Sequence, residues 1–280
     1  MITISAFADE IGPDLGVQMD TCQGLGVRCI DVRGIDGVNV SKMTLAQARE
    51  YRRRMDGRGF SVPCVGSPIG KIRLSDDFPT HLELLKHVIE LAGIFGTKSI
   101  RVFSFYAAEG ENILEHRGEV LGRMAAMVKT AQAADVVLYH ENEKGIYGAK
   151  PAAVLDLFEQ LGGEHFKGVF DPSNYVEEGI RPYDEGWTNG LDRVTAWFHV
   201  KDSRGGRQCV PAGEGDAQFR EIFAELKRRN WSGVMTLEPH LSASGQFAGF
   251  TGPGLFGKAV DALRGLMQEA ELEEEKRGKE

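Results

Sequence analysis

VVLYHEN, residues 136–142, begins as a strand that belongs inside a protein and ends as something else. Its first four residues are apolar or aromatic, the composition of a strand covered on both faces. His140, Glu141 and Asn142 then follow, groups that are costly to bury without partners. The same kind of run recurs along the chain: ITISAF (2–7), RCIDVR (28–33), FSVPCVGS (60–67), KSIRVFSF (98–105), VVLYHEN (136–142), KGVFDPS (167–173), TAWFHVKD (195–202) and SGVMTLEP (232–239). Their starts lie 26 to 38 residues apart, the size of a strand–helix unit.

The stretches between them carry helical periodicity. HLELLKHVIELAGIF (81–95) places Leu85, Val88, Ile89 and Ala92 on one face, and AQFREIFAELKRR (217–229) does so with Phe219, Ile222, Phe223 and Leu226. Glycine stop signals precede several strands, as in GLGV (24–27) and IFGT (94–97). Eight such units with near-continuous apolar strands predict a parallel sheet covered by helices, and eight is the number that closes a single (β/α)8 TIM barrel. A doubly wound open sheet is the competitor, but no Gly-rich fingerprint follows the first strand. No composition break marks a linker. We therefore expect one barrel domain over 1–270 and a charged tail over 271–280, ELEEEKRGKE, that frays into solvent.

Bulk composition narrows the function classes. With 280 residues, 42% hydrophobic and 26% charged, the chain reads as an ordinary globular protein. A net charge of −8 argues against a broad nucleic-acid footprint. Cys22, Cys29, Cys64 and Cys209 form no CxxC pair, so reduced thiols in a cytoplasmic protein are expected. The first residues carry no basic, apolar leader, and no apolar run reaches the length of a membrane span.

In a barrel of this kind the chemistry sits at the C-terminal ends of the strands. The fifth run ends at Glu141, the sixth at Asp171, the seventh at His199 and the eighth at Glu238. Four adjacent strands thus each bring a hard oxygen or an imidazole to one rim. Three carboxylates and one imidazole call for a cation, and this mixed donor set suits one divalent ion, Mn2+, Co2+, Mg2+ or Zn2+. The absence of a cysteine at these ends removes a structural thiolate zinc site.

With YHEN, FDPSN, FHVKD, LEPH and GSPIGK (66–71) on the page, the sequence resembles the sugar-phosphate isomerase/epimerase family of xylose-isomerase-like barrels, in particular its ketose 3-epimerase type of metal site. The resemblance covers most of the chain. It implies that Glu141 and Glu238 bind the metal and also form an acid/base pair, carrying a sugar or sugar derivative through a cis-enediolate. It also implies a homo-oligomer, since relatives are often dimers or tetramers. Where the family often has a histidine, this chain has Asn174, so the substrate stays open. Arg204 and Arg207, with Arg207 favoured, fall where the family often places an arginine. Lys71 in GSPIGK and Lys201 are further substrate contacts, and Glu143 shares the face of Glu141 by strand alternation. Arg33, ending the second run, reaches for the mouth.

Three readings compete with the isomerase. A metal-dependent dehydratase of a cyclic polyol or keto-sugar would use the same centre. A sugar-binding barrel without catalysis would bind a polyol and exchange no C–H proton. A DNA-cutting relative with three zinc ions needs many more rim histidines than His140, His199 and His240.

Overall fold

The computed structural model describes residues 1–242 and 245–275. Its first barrel strand is Ile2–Ala6, its second Cys29–Ile30, its fourth Ser99–Val102, its fifth Val137–Glu141, its sixth Phe166–Phe170, its seventh Thr195–Val200 and its eighth Gly233–Leu237. These seven form one parallel sheet with the first strand between the second and the eighth. The third run closes the ring by isolated parallel bridges only, Cys29 to Ser61, Val32 to Val65 and Val65 to Ile100. Pro63 lies in the middle of that run and has no N–H to give, which keeps its ladder short.

The helices Leu15–Gly24, Leu45–Asp56, Phe78–Phe95, Arg117–Ala133, Pro151–Leu161, Phe219–Arg228 and Gly252–Glu269 alternate with the strands. Phe219–Arg228 buries Phe219, Ile222, Phe223 and Leu226, the predicted face. Phe78–Phe95 buries Leu85, Val88 and Ala92 as expected, with Leu91 and Phe95 beside them, while Ile89 is half-buried. Most core side chains pack between sheet and helices.

A second, smaller core fills the lumen. Cys64, Val169 and Trp197 pack with Tyr139 and Val234, and the Tyr139 and Trp197 rings meet edge to face at 5.2 Å. Each of these two rings buries ~150–250 Å2, worth roughly 4–6 kcal/mol before entropy at ~25 cal/mol per Å2. Strand side chains share a face every second residue. Two residues beyond Tyr139, Val169 and Trp197 are therefore Glu141, Asp171 and His199, standing on the apolar plug.

The frayed-tail expectation for 271–280 needs correction in its first half. Ile2 donates its N–H to the Glu273 carbonyl at 2.7 Å, Glu275 donates to the Ile2 carbonyl at 2.8 Å, and Arg264 grips Glu274 at 2.8 Å. Spare edge hydrogen-bonding groups on the first strand outweigh the charge of the segment. Residues 276–280 lie outside the described residues. No described helix is long and apolar enough to cross a membrane.

Candidate metal centre

Glu141, Asp171, His199 and Glu238 are each at most 5% exposed, and each offers one ligand atom within 4.8 Å of the others. His199 Nδ1 lies 2.9 Å from Glu141 Oε1 and 3.2 Å from Glu238 Oε2. The local sequence explains the aim of Asp171. In FDPSN it caps the short helix Pro172–Glu177, with Pro172 at the first helical position and Oδ1 accepting the Asn174 N–H at 3.1 Å. That leaves Oδ2 for the lumen.

Two arginines fix the glutamates. Arg101 Nη1 donates to Glu141 Oε2 at 3.0 Å, while its other nitrogens donate to the Ser67 and Gly66 carbonyls. Arg33 Nη1 donates to Glu238 Oε1 at 2.6 Å, with Nε on Asp9 and Nη2 on Glu10. Each arginine holds one oxygen, so Glu141 Oε1 and Glu238 Oε2 are the oxygens that face His199. Phe7 wedges between the arginines, 4.6 Å from the Arg33 guanidinium and 5.0 Å from that of Arg101, with its edge on His199. Gly66 admits that ring, because a Cβ there would lie 2.4 Å from Phe7 Cε1.

Electrostatics make the group short of positive charge. Burial pushes the Asp171 carboxyl up to about 7; Lys201 opposes this, and Glu141 and Glu238 add to it. Burial works against a charged His199 as well, yet Glu141 and Glu238 bring it up to about 9. For Glu141, His199 and Arg101 outweigh burial and hold it down at about 2. Despite the short distances, Asp171 Oδ2, His199 Nδ1 and Glu238 Oε2 are buried with no hydrogen bond of acceptable geometry. Such atoms are rare and costly unless something else binds them. Oxygen and imidazole donors in this number fit a divalent cation. A second group, Glu10, Glu238 and His240, is also close enough for an ion. There, however, Glu10 Oε2 accepts from the His240 N–H and the Thr251 hydroxyl, and Glu10 Oε1 from Arg33, so no ion is called for.

Of the residues expected to contact substrate, Lys201, Asn174 and Arg33 touch the ligand group, while Lys71 and Glu143 pair with each other. Lys201 Nζ is 3.1 Å from Asp171 Oδ2 and 2.5 Å from Asn174 Oδ1, and Asn174 Nδ2 is 3.4 Å from Glu141 Oε1. Lys71 Nζ pairs with Glu143 at 2.7 Å and sits 4.2 Å from the centre of the Phe103 ring. Arg33 reaches Glu238 directly. Arg204 and Arg207 are not brought to the group, which corrects that expectation. Asp202–Arg204 and Gln208–Val210 form a hairpin, Arg204 lies 56% exposed with Nε on the Glu214 carbonyl, and Arg207 is exposed at its turn. Asp202 anchors the loop by accepting the N–H groups of Ser203, Gly213, Gly215 and Ala217.

Sequence reading missed Arg101, Asp9 and Glu10. Arg101 had one signal, a lone charge in the apolar run KSIRVFSF. His140 points away from the lumen, bonded to Ser104 among Phe158 and Phe166, where burial lowers it to about 4.

Residues 19–266 match the family model described as xylose isomerase-like TIM barrel. No curated protein matches the chain. Among solved structures it is similar to a probable 3-DHS dehydratase involved in petrobactin synthesis from Bacillus anthracis, at 16% identity and TM-score 0.73 over 94% of this chain and 99% of that one. It is similar to the IOLI protein with a bound zinc atom at 12% identity and TM-score 0.75, covering 96% of this chain and 99% of that one. A D-psicose 3-epimerase with D-tagatose from Clostridium cellulolyticum H10 matches at 12% identity and TM-score 0.72, again over 96% and 99%. At these identities the likeness speaks for the fold.

Proposed function

The chain belongs to the xylose isomerase-like TIM barrel family, and from that premise we propose that it is a divalent-metal-dependent isomerase or epimerase of a sugar or sugar derivative. The observation that carries this reading is the convergence of four buried ligand atoms within 4.8 Å of one another, three of them, on Asp171, His199 and Glu238, without a hydrogen bond of acceptable geometry. Glu141, Asp171, His199 and Glu238 would hold the ion. Bound there, a divalent cation offsets the excess carboxylate charge and polarises a carbonyl with its neighbouring hydroxyl, which acidifies the adjacent C–H.

Glu141 and Glu238 both reach His199 Nδ1 and act as the acid/base pair. One carboxylate oxygen takes the C–H proton, the substrate passes through a cis-enediolate, and the other glutamate returns a proton. Return to the opposite face of the same carbon gives an epimer; return to the neighbouring carbon interconverts aldose and ketose. Arg101 and Arg33 keep both carboxylates ionised and turned the right way. Phe7 and the Tyr139–Trp197 plug keep water from entering beneath.

The test is proton exchange in heavy water, followed by NMR, with metal-loaded protein and a panel of ketoses and cyclic polyols. Deuterium is expected at one carbon of one compound, falling ~10²- to 10⁴-fold in Glu141→Gln and in Glu238→Gln. No exchange with any compound under any of the four metals overturns the reading. Dehydration is the second reading, favoured by Lys201, a buried ammonium beside Asp171 and Asn174 that can hydrogen-bond a departing hydroxyl. It is told apart by a product lighter by one water.

A further inference from the structure

Within GSPIGK, residues 68–71 turn sharply, with the Lys71 N–H on the Pro68 carbonyl at 2.9 Å and Gly70 in the third place at φ +91°. Glycine is what such a turn asks for there. The turn is laid against the end of the fourth strand. Phe103 donates its N–H to the Ile69 carbonyl at 2.8 Å, Phe105 to that of Gly70 at 2.9 Å and Tyr106 to that of Ile72 at 2.9 Å. Those bonds use the carbonyls of the loop, and the Gly70 N–H takes part in none of them. Its partner is a side chain, His81 Nε2, at 2.8 Å.

His81 stands in the opening turn of the helix Phe78–Phe95 and is buried. Because the donor is a backbone amide, Nε2 must keep its lone pair and the ring proton must sit on Nδ1. An imidazolium carries N–H on both nitrogens and cannot accept. The surroundings oppose that charge. Burial holds His81 below the usual histidine range; Arg123 adds to this, and Asp76 works against it. Arg123 reaches in from the helix Arg117–Ala133, tied to Glu119 and the Leu74 carbonyl and lying over the Phe78 and Phe105 rings. Asp77, the cap of the helix that carries His81, is turned to Thr80, and the helix end itself disfavours a cation. On the strand side His81 meets the Phe105 ring at 6.5 Å. Phe105 holds φ +67°, a conformation that a bulky residue keeps only where its surroundings impose it.

What the turn presents is Lys71. Its Nζ pairs with Glu143 at 2.7 Å and lies 4.2 Å from the centre of the Phe103 ring. The same ring lies 4.8 Å from the Arg101 guanidinium that holds Glu141. A turn that leaves the strand therefore takes Lys71 from Glu143 and loosens the packing behind Arg101.

We propose that His81 is a positioning residue: its neutral ring holds the Lys71 turn against the fourth strand beside the metal centre, and protonation of the ring releases that turn. The docking stands on the hydrogen bond; its bearing on substrate rests on the metal-dependent reading above. Neutral imidazole is the docked form, so the bond is fully present above the ordinary histidine value of ~6.5 and is lost as pH falls toward the lower value of the docked ring.

The test uses metal-loaded, nitrogen-labelled protein and reads the His81 ring and the Gly70 amide by NMR. At pH 7.5 the ring is expected to be neutral with its proton on Nδ1. The Gly70 amide is expected to lose about tenfold in protection from hydrogen exchange in His81→Phe, which keeps a ring without the acceptor, and to regain it in His81→Gln, whose amide oxygen accepts. Melting temperatures show that the variants fold. Measured against His81→Gln, the parent is expected to lose protection by about threefold or more between pH 7.5 and pH 5. A ring proton on Nε2, unchanged protection in His81→Phe, or no rescue by glutamine overturns the proposal. For the ketose or cyclic polyol that exchanges its C–H proton, KM is expected to rise severalfold in His81→Phe and to return in His81→Gln, with metal affinity unchanged. A KM that stays the same while protection falls overturns the positioning role. Protection that follows the acceptor with no C–H exchange across the panel supports the docking and removes the proposed reaction instead.

Discussion

Asp31 shows how much a single buried group can report. It is 1% exposed, accepts the Ser5 hydroxyl at 2.8 Å and the Thr236 hydroxyl at 2.6 Å, and Thr236 in turn accepts the Trp197 indole N–H. Burial pushes its carboxyl up from 3.8 to about 6; the two hydroxyls oppose that. A raised acid pKa means the folded state binds more protons than the unfolded one between the two values. Stability from this group is therefore present below about pH 4 and lost as pH rises through about 6, by on the order of 3 kcal/mol. Asp31→Asn removes the charge while the Ser5 hydroxyl can turn to accept. In urea unfolding, the difference between variant and parent is expected to move in favour of Asn by about that amount between pH 4 and pH 7. A difference that does not change with pH contradicts the assignment.

Much of the centre was legible residue by residue, because Glu141, Asp171, His199 and Glu238 each stand out where an apolar run stops. Arg101 was not, since one arginine inside an apolar run reads as a blemish until strand alternation is combined with barrel closure. Arg204 and Arg207 were misplaced for the converse reason. They follow His199 closely in sequence, but the hairpin held by Asp202 turns them outward.

At the scale of elements, strand number and order were legible from spacing, whereas the weakness of the third strand was not. Pro63 was visible, but only the structure shows that the run pairs through isolated bridges at Ser61 and Val65. The chain beyond this strand depends on one close approach. Gly70 has φ +91°, and a Cβ there would lie 2.1 Å from the Phe103 carbonyl oxygen. The Phe105 N–H donates to the Gly70 carbonyl, so this contact docks the loop that carries Lys71. Gly70→Ala is expected to cost ~1–3 kcal/mol from the backbone strain alone and to weaken substrate binding more than metal binding. Thermal melting with metal and substrate titrations checks this. Loss of metal affinity equal to the loss of substrate affinity would show that the loop does not act through the mouth.

At the scale of the whole molecule, the barrel brings seven strands and a bridged segment into one ring so that four of them can share a cation. The charged segment at 273–275 contributes by pairing with the first strand, a long-range contact invisible to composition. An ion that binds only the folded chain raises its stability by ~2.7 kcal/mol at a hundredfold excess over Kd. The metal-bound form should accordingly melt several degrees above the chelator-treated one.

The most direct measurement is elemental analysis of the purified protein beside Asp171→Asn, a change that keeps an acceptor for the helix cap and removes the carboxylate charge. About one divalent ion per chain, lost in the variant and restored to the parent by titration after chelation, is the expected result. A parent chain that holds no divalent ion and takes up none on titration would contradict the metal centre and the acid/base chemistry built on it.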